Sequence, residues 1–336
     1  MSRGAVPSIA IFGATGNVGR MIVASIIERK LATPPQIQLY ASSQSAGKKL
    51  TIGDVDWIIQ DTEHADFSKQ PICLFATDSH ISKTFIPKAL AAGCVVVDSS
   101  SLYRLDPTVP LIVAPINRDK VNCKTTKLYA MANCVSSPIS MVLAPIHQKH
   151  AIKRVNASTY QSTSGAGKAA MDELYNETKA TCEGKTFTRE HFKRQMAFNV
   201  LPQIDKFLDD GFTYEEYKII KEIQKIISTD IAVTATSVRV PVMIGHSVSL
   251  SIEFHQDYSL DAIRELLKNT PGVKISADHY TTPIEVVGSD DVFVGRIRRD
   301  ASTAFGLQLW LCSDNLRRGA STDVVEVAAE LIKQSM

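Results

Sequence analysis

At 336 residues with 44% apolar content, the chain carries enough hydrophobic mass for two cores, because domains of roughly 100 to 200 residues are the usual unit. Its 37 Lys and Arg nearly balance 35 Asp and Glu, so no large single-sign field directs it to nucleic acid or a membrane, and a small-molecule partner is expected. The opening MSRGAVPSIAIFGATG interrupts its apolar stretch with glycine too early for a leader peptide or spanning helix, and the six cysteines fall singly without CxxC spacing; a cytoplasmic protein with free thiols and no bound metal is expected.

Near the N-terminus, SIAIFGATGNVGRMIVASIIERK reads as a buried strand, a glycine turn and a helix with Met21, Ile22, Ile26 and Ile27 on its apolar face. Gly13, Gly16 and Gly19 have the spacing that lets a backbone turn tightly, approach a pyrophosphate and pack the helix on its strand, although a bare glycine pattern is a weak signal. QIQLYASS is a second strand, PICLFATD a third, ISKTFIPKALAAG a helix and CVVVDSSS a fourth strand. The alternation predicts an α/β fold, a Rossmann-type doubly wound parallel sheet over residues 1–127.

The second strand ends in YASSQSAGKK, with no acid where an NAD site would hold the adenine ribose hydroxyls. Ser42, Ser43, Gln44 and Ser45, with Lys48 and Lys49 nearby, can donate to a 2′-phosphate, so NADP is expected over NAD. A solvated turn is the alternative reading of the same residues. From residue 128 the rhythm changes: AIKRVNASTYQSTSGAG and DIAVTATSVRVPVMIGHSVSLSIEF are long β-rich runs separated by helical segments such as YEEYKIIKEIQKII. They predict a second, α+β domain over 128–314. The final SDNLRRGASTDVVEVAAELIKQSM reads as an amphipathic helix with Val324, Val325, Val327, Ala328 and Leu331 on one stripe, completing the first domain with 315–336.

The chemistry centres on NCVSSPISMVLAPI. Ser and Pro just after Cys134 mark a helix N-terminus, where unpaired amides and the helix dipole favour a thiolate; a buried, inert filler is the competing reading. His246 follows a β-rich run and a glycine, close in sequence to Arg239 in VRVPVMIGHS. Imidazole suits the proton transfers that a thiol nucleophile needs, and a guanidinium can clamp a carboxylate with two parallel hydrogen bonds. A satisfied strand-end histidine fits the same spacing. His64, His147, His150 and His191 sit in polar surroundings and read as surface residues.

The blocks GATGNVG, SAGKK, VVVDSSSLYRLD, NCVSSP, TYQSTSGAG, NVLPQID, YEEYK, ATSVRVPVMIGHS and SDNLRRGA, in this order over nearly the whole chain, resemble the aspartate-semialdehyde dehydrogenases. The resemblance implies that Cys134 is the nucleophile, His246 the acid/base and Gln161 the residue that orients the substrate or its thioester. It implies further that Arg239 and Glu215 hold the amino-acid end, that Arg104, Asn133 and Lys218 bind phosphate, and that Thr15, Gly16, Asn17, Val18, Ser164, Gly165 and Asn315 line the NADP site. For Glu215 and Lys218 the residues alone favour a plainer reading, an exposed helix pair of adjacent-turn spacing worth a few tenths of a kcal/mol.

The activity so implied is reduction of L-4-aspartyl phosphate by NADPH through a cysteine thioester, giving aspartate semialdehyde and phosphate on the route to lysine, threonine and methionine, in a homodimer or homotetramer. Three departures stand out. Gln44 occupies a place where family members often carry Arg, Val248 stands where Glu usually follows His-Ser, and Ala132 replaces a Pro. The first weakens the contact to a 2′-phosphate, and the second means that any carboxylate orienting His246 must come from elsewhere. An N-acetyl-glutamyl-phosphate or malonyl-CoA reductase of the same architecture, or a non-catalytic nucleotide-binding relative, is the alternative reading.

Overall fold

The computed structural model describes residues 7–335; the N-terminal six residues, on which the leader-peptide reading partly rests, lie outside them. The chain divides into two units, one running up to Ala132 and resuming at Ala320, the other comprising Asn133–Gly319. The first holds β1 (Ile9–Phe12), α1 (Asn17–Glu28), β2 (Ile37–Ala41), β3 (Lys49–Ile52), β4 (Val55–Ile58), β5 (Gln60–Asp61), β6 (Ile72–Phe75), α2 (Ser79–Ala91), β7 (Val95–Asp98), β8 (Leu111–Ile112), α3 (Ala114–Asn117) and β9 (Leu128–Met131). Seven strands form a parallel sheet in the order β5-β2-β1-β6-β7-β9-β8, and β3 pairs with β4 in a separate hairpin.

Every residue of β1, β6 and β7 is buried, as a parallel sheet covered on both faces requires. Alternate residues serve opposite cores. Ile9 and Ile11 join Ile22, Ile26, Leu331 and Ile332 on one face, while Phe12 and Phe75 stack at 4.4 Å against the α2 side on the other. α2 starts where Asp78 accepts the amide hydrogens of His80 and Ile81 at 2.9 and 3.0 Å, the side-chain cap that satisfies orphan donors of a first turn.

The second unit holds α4 (Ser136–Lys149), β10 (Ile152–Gln161), α5 (Lys168–Cys182), α6 (Tyr214–Ile226), β11 (Ala232–Arg239), β12 (His246–Phe254), α7 (Leu260–Lys268), β13 (Val273–Ile275), α8 (Pro283–Val286), β14 (Val292–Asp300) and β15 (Gly306–Ser313). Its six strands run β11-β10-β12-β15-β14-β13. The sheet is mixed: β10 with β11 and β13 with β14 are parallel, the other pairs antiparallel. Strand register then gathers the chemistry-bearing residues. Gln161 lies beside Arg239, Tyr160 beside Ser247 and His246 beside Ser313, so the last residues of β10, β11 and β15 and the first of β12 meet at one end of the sheet.

Two expected boundaries move. β9 joins the first sheet through β7 and β8, so the first unit extends beyond residue 127. The returning segment is also shorter than 315–336: β15 continues to Ser313, the backbone at Arg318 and Gly319 is not helical, and α9 occupies Thr322–Ser335. Asn315 therefore belongs to the second unit. The stripe itself stands as read, with Val324, Val325, Val327, Ala328 and Leu331 all buried. No helix among the described residues is long and apolar enough to cross a membrane.

The glycine turn after β1 separates two physical demands. A Cβ on Gly19 would sit 2.2 Å from the Gly13 carbonyl oxygen, whereas one on Gly16 would meet that oxygen at an ordinary 3.4 Å. Gly19→Ala should therefore destabilise the protein by about 1–3 kcal/mol through overpacking and lower its thermal midpoint by several degrees, while Gly16→Ala leaves the midpoint nearly unchanged. Calorimetric melts of the two variants check this; equal melting of both would show that helix and strand tolerate the extra methyl.

Candidate active site

α4 begins at Ser136, with Val135 as its N-cap, so Cys134 stands immediately before the helix N-terminus. Its neighbours from Ala132 to Val135 are buried while Cys134 itself is half-buried. Asn133 holds the bend: its Oδ1 accepts the Val135 amide hydrogen at 2.8 Å and its carbonyl that of Ser137 at 2.9 Å. The Asn133 amide in turn donates to Glu222 Oε2 at 2.6 Å. Gly319 closes against the same bend, at φ +92°, where a Cβ would come within 2.6 Å of the Cys134 carbonyl oxygen.

Glu215 is buried rather than exposed, against the expectation for a plain surface pair. It is 4% accessible and accepts from Gln161 Nε2 at 3.2 Å and Asn133 Nδ2 at 3.2 Å, with Lys218 Nζ at 2.8 Å. Burial pushes its carboxyl up, but Lys218, Gln161 and Arg239 outweigh that and hold it below the usual carboxylate value. Lys218 also lies 3.4 Å from Asp205. The adjacent Glu216 closes a capping box with Thr213 and accepts the Ser237 amide at 2.8 Å, which docks α6 onto β11.

Arg239 is buried, and its Nη1 donates to the Ser162 carbonyl at 2.7 Å. Burial lowers its pKa, opposed first by the Glu215 carboxylate and then by the neighbouring Cys134. Its backbone exchanges hydrogen bonds with Leu201, anchoring the NVLPQID segment. A cavity of about 1020 Å³ opens beside Arg239, with His191, Lys193, Arg194, Asn199 and Gln203 on its walls. Apolar residues such as Phe192, Leu201 and Phe207 share that lining, and its charged side chains are Lys193, Arg194 and Arg239 against Asp205.

His246 is 1% accessible. Burial first, then the positive charge of Arg239, push its imidazole down to about 3, against the weaker pull of Glu215 and the Gly245 carbonyl. Its Nδ1 faces the Ser162 amide and hydroxyl, both at 3.0 Å. Val248, the departure in this block, is buried in β12 opposite Thr159 and Leu311.

Thus Asn133, Cys134, Gln161, Glu215, Lys218, Arg239 and His246, with Ser164, Gly165 and Asn315, all belong to the second unit and gather at one end of its sheet. Ser164 Oγ donates to Asn315 Oδ1 at 3.0 Å, and a Cβ on Gly165 would lie 3.2 Å from both Arg239 Nη1 and His246 Nε2. Sequence reasoning missed Ser162, Glu216, Glu222 and Gly319; of these the capping-box spacing and the i, i+7 relation of Glu215 to Glu222 were readable signals. Of the four histidines read as surface residues, His147 and His150 are half-buried, and His147 Nδ1 accepts the Ile152 amide hydrogen at 3.1 Å.

The remaining residues lie in the first unit. Arg104 is buried, its Nη2 donating to the Ser99 carbonyl at 2.7 Å, near Asp98, which ties Ser82 and Ser100. Gly13, Thr15, Gly16, Asn17 and Val18 form the turn into α1, which carries no acid in its first turn. Ser42, Ser43 and Gln44 are exposed and Ser45 half-buried in the turn after β2, at the same carboxyl edge of the parallel strands as Gly13. Lys49 ion-pairs with Asp56 in the hairpin. Among the described residues no three His, Cys, Asp or Glu side chains gather as a metal ion would need.

Residues 8–123 match the family model "Semialdehyde dehydrogenase, NAD binding domain" and residues 143–318 the model "Semialdehyde dehydrogenase, dimerisation domain". The chain is 42% identical to the aspartate-semialdehyde dehydrogenase of Rickettsia bellii over 97% of its own length and 98% of the relative's. It is 42% identical to that of Aquifex aeolicus over 98% of each. The crystal structure of aspartate semialdehyde dehydrogenase II complexed with ASA from Vibrio cholerae, 36% identical, superposes with a TM-score of 0.95 over 99% of this chain and all of that one. With both units matched by family models and this identity sustained from end to end, the chain belongs to the aspartate-semialdehyde dehydrogenase family.

Proposed function

We propose that the protein reduces L-4-aspartyl phosphate with NADPH to L-aspartate 4-semialdehyde and phosphate through a thioester on Cys134, a step on the route from aspartate to lysine, threonine and methionine. The observation that carries this reading is the convergence on one end of the mixed sheet of a half-buried thiol at a helix N-terminus, a buried guanidinium, a carboxylate and an imidazole. A cytoplasmic location, read from the sequence, and a homodimer or homotetramer, implied by the family resemblance, are proposed with it.

The residues of the first unit suit a dinucleotide phosphate. The exposed Gly16 leaves the N-terminus of α1 open without crowding a neighbour, the first turn is free of acid, and the turn after β2 offers serines and Gln44 where a carboxylate would repel a 2′-phosphate. Gly13, Thr15, Gly16, Asn17, Val18, Ser42, Gln44 and Ser45 are assigned to NADP on this ground. When bound, the reduced cofactor supplies a hydride to the thioester carbon.

Cys134 sulfur, with its negative charge favoured by Arg239 and the first amides of α4, attacks the acyl carbon, and phosphate departs as the carbon–sulfur bond forms. Arg239 takes the substrate carboxylate with its planar fork and Glu215 the ammonium. Asn133, Lys218 and Arg104 are assigned to the phosphate. Gln161, held by Glu215, orients the acyl group. His246, neutral and with its one ring proton on Nε2, donates a hydrogen bond to the oxygen that becomes negative on reduction and so stabilises that charge until the carbon–sulfur bond breaks and the semialdehyde leaves.

An absorbance assay at the nicotinamide band with aspartate semialdehyde, phosphate and NADP tests the reading directly. Turnover is expected, and Cys134→Ser should lower it at least about a thousandfold with an unchanged thermal midpoint. Preference for an N-acetylated or coenzyme A substrate would assign the chain to a different acyl reductase.

The basic residues separate kinetically. Arg239→Lys keeps the charge but loses the fork, and kcat/KM should fall by about a hundredfold or more. Lys218→Ala should raise the Michaelis constant for phosphate far more than that for semialdehyde; equal changes would place Lys218 outside the phosphate site.

Burial of neutral His246 also has a stability signature. Its folded-state pKa of about 3 lies below the ordinary 6.5, so the unfolded chain takes up the proton first and stability is lost as pH falls from about 6.5 towards 3. Between pH 7 and 5 this amounts to about 2 kcal/mol. Denaturant titrations of wild type and His246→Asn at both values check it: the variant should lose correspondingly less, and parallel losses would contradict a buried neutral imidazole.

A further inference from the structure

His246 lacks a carboxylate partner on Nδ1, and its block carries Val248 where an acid was expected. The ring is instead held by one residue and a carboxamide. The Ser162 amide lies 3.0 Å from Nδ1. A backbone amide can only donate, so Nδ1 accepts and the imidazole proton sits on Nε2. Nε2 is buried with no protein partner among the described residues, and it lies against Gly165, where a Cβ would approach to 3.2 Å.

Asn315 stands behind this arrangement. Its Oδ1 accepts from Ser162 Oγ at 3.1 Å, Ser164 Oγ at 3.0 Å and the Gly245 amide at 2.9 Å. One carboxamide oxygen therefore fixes the residue that faces Nδ1 and the glycine that precedes His246 in the chain. Ser162 Oγ has a single hydrogen and three polar neighbours, His246 Nδ1, Ser164 Oγ and Asn315 Oδ1. When that hydrogen points to Asn315, an oxygen lone pair faces Nδ1; when it points to Nδ1, the ring keeps an acceptor there.

We propose that Asn315 is a positioning residue for His246: through Ser162 and Gly245 it holds the Ser162 amide and hydroxyl against Nδ1 and so fixes the tautomer with the proton on Nε2. The proposal rests on the assignment of His246 Nε2–H as the hydrogen-bond donor to the reacting oxygen. It gives Asn315 a role within the second unit, distinct from the cofactor contact that the family resemblance implies. The charged groups facing the ring are Arg239 from β11 and Glu215 from α6. Neither of them is hydrogen-bonded to Nδ1, so the Ser162 and Asn315 pair takes the place that a carboxylate fills in other histidine-dependent sites.

Nitrogen NMR of the full-length protein with labelled histidine reads the tautomer without requiring turnover. The wild type should show His246 protonated at Nε2 alone and untitrated between about pH 5 and 8. Asn315→Ala should give mixed tautomers, with kcat at least about tenfold lower and the Michaelis constant for semialdehyde changed less than about threefold. Asn315→Asp, of nearly the same shape, should raise the His246 pKa by about a unit or more and move the pH profile of kcat with it; it carries the test if the alanine variant fails to fold. An unchanged Nε2–H signal in both variants, with weakened NADP binding instead, would overturn the proposal and make Asn315 a cofactor contact. The NMR result also stands if the wild type proves inactive on semialdehyde, so failure of the activity and failure of the positioning role are distinguishable.

Discussion

The site depends on one buried carboxylate. Glu215 accepts from Asn133 and Gln161 and pairs with Lys218, and its charge offsets part of the cost of burying Arg239. Removing a buried charge from a group that depends on it costs several kcal/mol, because the partners are left unpaired in a poor solvent for charge. Here the partners are the bend that carries Cys134, the last residue of β10 and the last of β11. The carboxylate thus links α6 to the bend before α4 through Asn133 and to the end of the mixed sheet through Gln161, and Cys134, Gln161 and Arg239 share a single electrostatic frame.

The mixed topology is what makes that frame possible. Parallel pairing of β10 with β11 brings two carboxyl ends together, and antiparallel pairing of β12 with β10 and β15 brings His246 and the residues after Ser313 to the same place. A wholly antiparallel sheet would have sent Gln161 and Arg239 to opposite ends. The first unit follows the other rule: its fully parallel sheet puts the turn after β1 and the turn after β2 at one carboxyl edge, the place where such sheets bind ligands.

Much of this was legible in the sequence. The strand, turn and helix around Gly13 to Gly19, the helix start after Cys134 and the apolar stripe of α9 are short-range patterns, and each has a local physical cause. Glu215 was not legible, because a Glu and a Lys three residues apart look the same on a solvated helix and on one pressed into a site. Ser162 and Asn315 were hidden for another reason: they touch across 153 residues of sequence, and only strand register brings them together. The extent of the returning segment was hidden likewise: the first residue of SDNLRRGAS ends β15, and Gly319 turns the chain at positive φ against Cys134.

Everything proposed for the chemistry requires that Cys134 carry the acyl group. Incubating the protein with aspartate semialdehyde and NADP in the absence of phosphate, followed by acid quench and peptide mass spectrometry, probes this without intermediary. An acyl adduct is expected on the peptide containing Cys134, and it should disappear when phosphate is added. An adduct on another cysteine, or full phosphate-dependent turnover with no acyl-enzyme at any site, would contradict it.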